Sequence, residues 1–310
     1  MCYSAQIWSD YRKYEYYGGE LSIKEYTRLF WERRKGGDWV RKLPKAMRDA
    51  FTRPRSAEEM ELAKLVAEGN REAAEALQTE LQAQTFRLEN AERVLASPKP
   101  TKKAANDQRI ATDKVARARR DLDDLQRKEL LPRDERIYPG TYATVMVAQH
   151  GRKVIVPMRY QCRLPGWTEA VERKYPGTYN ARRDSLGTAW RALFGYKHAL
   201  MVVDRFYEHV ERNGQDVVLE FVPQDQQPML VACLWNRSPA QGDAPELFSF
   251  AAITDEPPPE VAIAGHDRCI IQIKPEYVDA WLNPDPNNLD ALQAIFDDRP
   301  RPFYEHRLAA

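Results

Sequence analysis

The sequence lacks the features that most quickly place a chain in a common class. It has four cysteines in 310 residues, and Cys2, Cys162, Cys233 and Cys269 form no C-x-x-C pair, so no disulfide framework is expected. The five histidines are scattered without ligand spacing, so no zinc site, other metal or cofactor is expected either. No apolar run approaches the roughly 18 to 20 residues of a membrane span. The N-terminus also lacks a basic region followed by a hydrophobic stretch and a cleavage site. A cytoplasmic chain with reduced thiols and no membrane partner is the expectation. Neither a G-x-G-x-x-G nor a Walker A sequence occurs, which leaves a nucleotide-cofactor fold without support. Net charge is also nearly absent, at +1.

That average conceals a local asymmetry. Residues 11–55 hold thirteen Lys/Arg against six Asp/Glu, interleaved with Tyr11, Tyr14, Tyr16, Tyr17, Tyr26, Phe30, Trp31, Trp39 and Phe51. Single-stranded nucleic acid exploits this mixture through phosphate neutralisation and base stacking; the other reading is a basic surface over an aromatic core. Residues 152–191 repeat the imbalance with nine basic residues against three acidic, so two segments could assemble one positive face.

With 43% apolar and 30% charged residues, the chain can bury a sizeable core beside a solvated accessory segment. From Ala57 to Leu131 two long runs rich in Ala, Glu, Leu, Gln, Arg and Lys read as helix. Leu77, Leu81, Leu88 and Leu95 mark a seam in the first, and Val115, Ala118, Leu122 and Leu125 one in the second. Ser97-Pro98-Lys99-Pro100-Thr101 breaks them, which predicts an antiparallel helical hairpin. Its nearly cancelling charges favour a solvated insertion or a protein-partner arm over direct DNA binding. Residues 22–50 also look helical, punctuated by Gly36-Gly37 and Pro44.

After Leu131 the pattern becomes strand-like. Tyr142 to Gln149 and Lys153 to Met158 flank His150-Gly151-Arg152, and Ala199 to Arg212 meets Asp216 to Val222 across Asn213-Gly214, a strong hairpin signal. Further strands are expected at Met229 to Trp235, Leu247 to Thr254 and Arg268 to Ile273, with short helices at Tyr277 to Leu282 and Leu289 to Phe296. The fold expected is α+β: a mixed or antiparallel β core able to close as a barrel, with an inserted helical hairpin. The core domain takes residues 1–21 and 132–310. The insertion takes 22–131, comprising a basic aromatic segment at 22–55 and the hairpin at 57–131.

Chemistry is concentrated in few residues. Removal of the initiator Met before a small side chain leaves Cys2 with a free α-amine beside its thiol, two nucleophiles partly deprotonated near neutral pH. An aldehyde is the matched electrophile: the amine forms an imine, and the thiolate closes on the same carbon to give a thiazolidine. Asn180 sits in a polar loop through Ser185, which either holds an amide and a guanidinium toward a ligand or serves as a surface loop whose Asp184 or Ser185 caps a helix. Glu208, in an apolar strand, is either an outward residue or a buried acid suited to proton transfer. His266, at the entry to a strand, is either structural or a proton carrier.

Met1-Cys2, Asn180-Ala181-Arg182, Phe206-Tyr207-Glu208, Ala232-Cys233-Leu234-Trp235, Phe248-Ser249-Phe250 with Thr254, and His266-Asp267-Arg268 occur in the order found in the SRAP family, the SOS-response-associated peptidase-like, abasic-site-processing proteins. Pro139-Gly140-Thr141, Leu164-Pro165-Gly166-Trp167 and Ala280-Trp281-Leu282 also resemble family segments. The resemblance covers residues 1 to about 10 and about 137 to 290. The chain departs from the family at Tyr3 and Ser4, where Gly and Arg are usual, and around Tyr160 to Pro165, His209 and Cys269.

The resemblance implies a protein that crosslinks to abasic sites in single-stranded DNA through Cys2, using Asn180, Glu208 and His266 as catalytic residues and no cofactor. Arg182 is implied to bind phosphate, with Arg183 and Arg268 as further DNA-binding residues. It also implies abasic-site lyase activity, self-removal of Met1, a DNA-damage role and association with the nucleoid when on DNA. Two other readings remain open: a non-catalytic binding protein working through the hairpin, and an N-terminal-nucleophile amidotransferase.

Overall fold

The computed structural model describes residues 4–242 and 244–309. The chain divides into two compact units. One takes in the chain up to Leu29, Lys42–Ala50 and the chain from Leu131 onward; the other takes Phe30–Arg41 and Phe51–Leu130.

Among the described residues the first unit is built on twelve strands: β1 (Ser4–Ile7), β2 (Gly19–Leu21), β3 (Arg136–Ile137), β4 (Tyr142–Gln149), β5 (Arg152–Tyr160), β6 (Asn180–Arg182), β7 (His198–Arg212), β8 (Gln215–Pro223), β9 (Met229–Ser238), β10 (Leu247–Asp255), β11 (Cys269–Ile270) and β12 (Tyr304–Leu308). Strands β7, β4, β5, β10 and β9 hydrogen-bond in succession, and β9 pairs back onto β7, so these five form a ring. All its pairings are antiparallel except β5 with β10. The expected barrel-like α+β core is therefore present.

Turn chemistry explains the hairpins. His150 and Gly151 have φ of 51° and 73°, and Asn213 and Gly214 have 53° and 75°, left-handed pairs whose twist matches that of the flanking strands. Strand β7 is long enough to serve two partners on one edge: its first half pairs with β9 and its second half with β8. The strand expected at Arg268 to Ile273 is shorter. Only Cys269 and Ile270 pair with β10; beyond them the Ile271 N–H still bonds Ile253 O, while the Ile273 N–H bonds Leu230 O. The segment thus crosses from β10 to β9. The interior is filled by alternating apolar residues, among them Val145, Val156, Met158, Met201, Phe206, Phe221 and Phe250.

Most of the aromatics between residues 11 and 55 are core. Tyr11, Tyr14, Tyr26, Phe30, Trp39 and Phe51 are buried. In the first unit the Tyr14 hydroxyl donates to Thr144 O, and that of Tyr26 meets Thr144 Oγ1, both at 2.9 Å. These rings have no face left for a base; Tyr16 and Trp31 remain exposed.

The second unit is dominated by two helices, Ala57–Leu95 and Lys102–Gln126, joined by the expected Pro-containing break. Ser56 caps the first through the Glu59 N–H and Thr101 caps the second through the Ala104 N–H, each satisfying a donor that the first helical turn leaves unpaired. Ala91 on one helix, and Ala111, Val115, Ala118 and Leu122 on the other, are buried. No helix of the described residues is long and apolar enough to cross a membrane.

Candidate functional site

Glu208 lies on β7 between Phe206 and Val210, and alternation puts all three side chains on the inner face. Phe206 and Val210 belong to the core, and Glu208 is wholly buried. Of its two readings from sequence, the buried acid is the correct one.

His266 reaches the same place from a different part of the chain. A short helix, Pro259–Ile263, ends at Gly265, whose φ of +103° suits only a residue without a Cβ. The turn after it carries His266 inward, where 7% of it remains exposed. Its Nδ1 lies 2.9 Å from Arg268 O and its Nε2 lies 3.2 Å from Glu208 Oε2. A carbonyl only accepts, so the proton of a neutral ring sits on Nδ1 and the Nε2 lone pair faces the carboxyl group. Two lone pairs at that separation repel, so one proton belongs between the pair. Burial pushes the His266 pKa down, against the pull of the Arg268 carbonyl, which favours the neutral ring.

Asn180 is buried on β6, level with Ala252 on β10, Cys233 on β9 and Ala199 on β7. All four are buried in one row across the sheet. Two residues on, Arg182 aligns with Thr254, and Thr254 with Ile270 of β11. Thr254 is fully buried and its Oγ1 has no hydrogen-bond partner among the described residues.

The arginines differ. Arg182 is exposed and makes two bonds to Asp184, at 3.0 and 2.6 Å; that pairing, not helix capping, occupies Asp184. Arg183 is committed to Asp255 at 3.2 Å, Asp297 at 2.5 Å and Gln293 at 3.0 Å. Arg268 lies 3.7 Å from Asp267. The structure thus brings Glu208 and His266 together, aligns Asn180 with the barrel interior and leaves Arg182 at the surface.

Cys2 lies outside the described residues. The other three thiols are buried; burial pushes Cys162 and Cys269 up to about 12 and raises Cys233 as well, so none of these is a competent thiolate near neutral pH. Among the described residues no group of three or more His, Cys, Asp or Glu could hold a metal ion.

Sequence reading missed Arg136. It lies in a two-residue strand that carries no periodicity, and its Nε and Nη2 donate to Ser4 Oγ at 3.1 and 2.9 Å. Its guanidinium stands 3.6 Å from the centroid of the Tyr207 ring. Only the β1 and β7 registers bring these residues together.

The model of the family described as SOS response associated peptidase (SRAP) matches residues 103–307. Among solved structures, a protein from Bordetella bronchiseptica is 17% identical, with a TM-score of 0.48 over 57% of this chain and 87% of its own. A protein from Bacteroides thetaiotaomicron is 12% identical, with a TM-score of 0.46 over 56% and 77%. A phage-related protein from Bordetella bronchiseptica is 18% identical, with a TM-score of 0.43 over 56% and 80%. No curated protein matches the sequence.

Proposed function

The chain belongs to the SOS response associated peptidase (SRAP) family, and on that footing we propose that it captures abasic sites in single-stranded DNA as a covalent adduct of Cys2. Family membership suggests a DNA-damage-related function and DNA binding. The finer reading is supported above all by the buried Glu208–His266 pair, whose groups are 3.2 Å apart and able to exchange one proton.

An abasic deoxyribose is closed for most of its lifetime and exposes its aldehyde only when the ring opens. Glu208, holding the shared proton, delivers it to the ring oxygen as the C1′–O4′ bond breaks, and the Glu208–His266 pair takes back the proton of the C1′ hydroxyl as that oxygen becomes the aldehyde carbonyl. The Cys2 amine adds to C1′ and water leaves, giving an imine. The thiolate then adds to the same carbon and the nitrogen takes up a proton, closing the thiazolidine. Run backward, the same pair assists release. Loss of a C2′ proton from the imine opens a β-elimination route, the basis of lyase activity. Asn180 orients the adduct, Arg182 exchanges Asp184 for a phosphate, and Arg268 adds positive charge nearby, whereas the charge of Arg183 is neutralised by Asp255 and Asp297. Self-removal of Met1 accounts for the peptidase description.

The test is a denaturing gel of the protein mixed with single-stranded DNA carrying one abasic site, alongside Cys2→Ala, Cys2→Ser and an undamaged strand. A heat-resistant band that requires both the abasic site and Cys2 is expected. If no band forms although mass spectrometry shows Met1 removed, the reading fails.

A further inference from the structure

The outer face of the sheet opposite Glu208 carries a second constellation. Register aligns Arg136 of β3 with Gln6 of β1 and Arg205 of β7; the next row runs Ser4, Tyr207, Glu220 of β8 and Arg307 of β12. The intervening row, Ile137, Ala5, Phe206 and Phe221, faces the core. Glu220 pairs with both Arg205 and Arg307. Arg136 is different, since no carboxylate of the described residues pairs with it.

What holds Arg136 is shape and hydrogen bonding without charge neutralisation. Its guanidinium lies over Tyr207 at 3.6 Å and over Tyr138 at 5.1 Å. The Nε–Nη2 edge of the fork is spent on Ser4 Oγ. The Nη1–Nη2 end is not engaged by any described residue, and that end has the spacing for two oxygens of one phosphate. A guanidinium held between two rings has already given up much of its rotamer freedom, so its ordering cost on binding is small.

Its position gives the site a purpose. Tyr207 immediately precedes Glu208, and Ser4 follows Cys2 by two positions in the sequence. Tyr207 and Glu208 point to opposite faces of β7, so a group bound at Arg136 is not the reacting sugar. We propose that Arg136 binds a backbone phosphodiester of the DNA strand flanking the abasic nucleotide, positioning that nucleotide for attack. The assignment rests on the abasic-site reading above.

The experiment measures equilibrium binding of a short single strand carrying a tetrahydrofuran abasic analogue, which has no aldehyde, across a series of NaCl concentrations. It is run with the wild-type protein, Arg136→Gln and Arg136→Lys. Losing one phosphate contact lowers the slope of log K against log salt by about 0.7 for a single strand, with binding weakened about tenfold at low salt. The Lys variant keeps the charge and so keeps the slope, while losing the planar fork and its stacking. Weaker binding by Arg136→Gln with an unchanged slope would assign a merely structural role and overturn the proposal, as would unchanged binding. Should the Gln variant fail to fold, wild-type binding to strands with single uncharged methylphosphonates decides the matter together with Arg136→Lys. One flanking position is expected to cost the wild type about tenfold and the Lys variant less; no such position, or equal losses in both proteins, overturns the assignment. Wild-type protein that binds but forms no Cys2-dependent adduct with aldehyde-bearing DNA defeats the abasic-site reading, a result distinct from failure of Arg136 alone.

Discussion

His266 Nε2 stands 3.2 Å from Glu208 Oε2, and its Nδ1 is turned the other way, onto Arg268 O. The carbonyl fixes the tautomer of the neutral ring, and burial, which lowers the His266 pKa, favours that neutral ring.

Glu208→Gln keeps the side chain's shape and lets an amide N–H donate to His266 Nε2, so folding is expected to survive. General acid catalysis is lost, and the rate of adduct formation with abasic DNA is expected to fall by about 10²-fold or more. Single-turnover gel kinetics check this; a wild-type rate in a folded Glu208→Gln protein would remove Glu208 from the mechanism.

His198 supplies an acid-sensitive element elsewhere in the first unit. Its Nε2 accepts the Gly195 N–H, its Nδ1 donates to Trp281 O, both at 2.9 Å, and burial lowers its pKa to about 3. The folded state therefore refuses a proton that the unfolded chain accepts below about pH 6.5. Its contribution to stability is fully present above that pH and is lost as pH falls toward 3, about 2 kcal/mol by about pH 5. Urea midpoints should drop accordingly, and His198→Gln, which can still accept from Gly195, should flatten the dependence.

Glu172 is buried between Arg159 and Arg163, with bonds of 3.0 Å from both Nε and Nη2 of Arg163. Glu172→Gln leaves two mostly buried guanidinium groups without their counter-charge. A loss of about 3 kcal/mol is expected, read as a lower urea midpoint with unchanged slope.

Gly69 faces the Trp39 indole within the second unit, and a Cβ there would lie 2.6 Å from the ring. Trp39 cannot yield easily, because its Nε1 donates to Asn70 at 2.8 Å and its ring packs edge-on against Phe30. Overpacking of about 1 to 3 kcal/mol should exceed the roughly 1 kcal/mol that Ala gains over Gly in a helix. Gly69→Ala is therefore expected to lower the thermal midpoint.

Local patterns disclosed a good deal of this protein. The hairpin helices are legible because their composition, their apolar seams and the prolines between Ser97 and Thr101 act within a few residues of themselves. Asn213-Gly214 and His150-Gly151 were legible for the same reason. Strands β3, β6 and β12 were not, because two to five residues carry too little periodicity to reveal pairing. The aromatics of residues 11–55 leave two readings open in the sequence, since a tyrosine suited to stacking on a base is equally suited to a core, and burial alone separates the two.

By itself the sequence determined the helical hairpin, the principal strands, the residue types of the site and the family resemblance, all of which rest on local periodicity, turn chemistry or ordered motifs. The tertiary structure alone decided that Glu208 faces inward, that His266 meets it, that Arg183 is committed to Asp255 and Asp297, and that Arg136 lies against Ser4 and Tyr207. Glu208 and Arg136 depend on strand register, where a shift of one residue sends every side chain of a strand to the opposite face; His266 and Arg183 depend on how a turn and a short helical segment distant in sequence come to lie beside their partners.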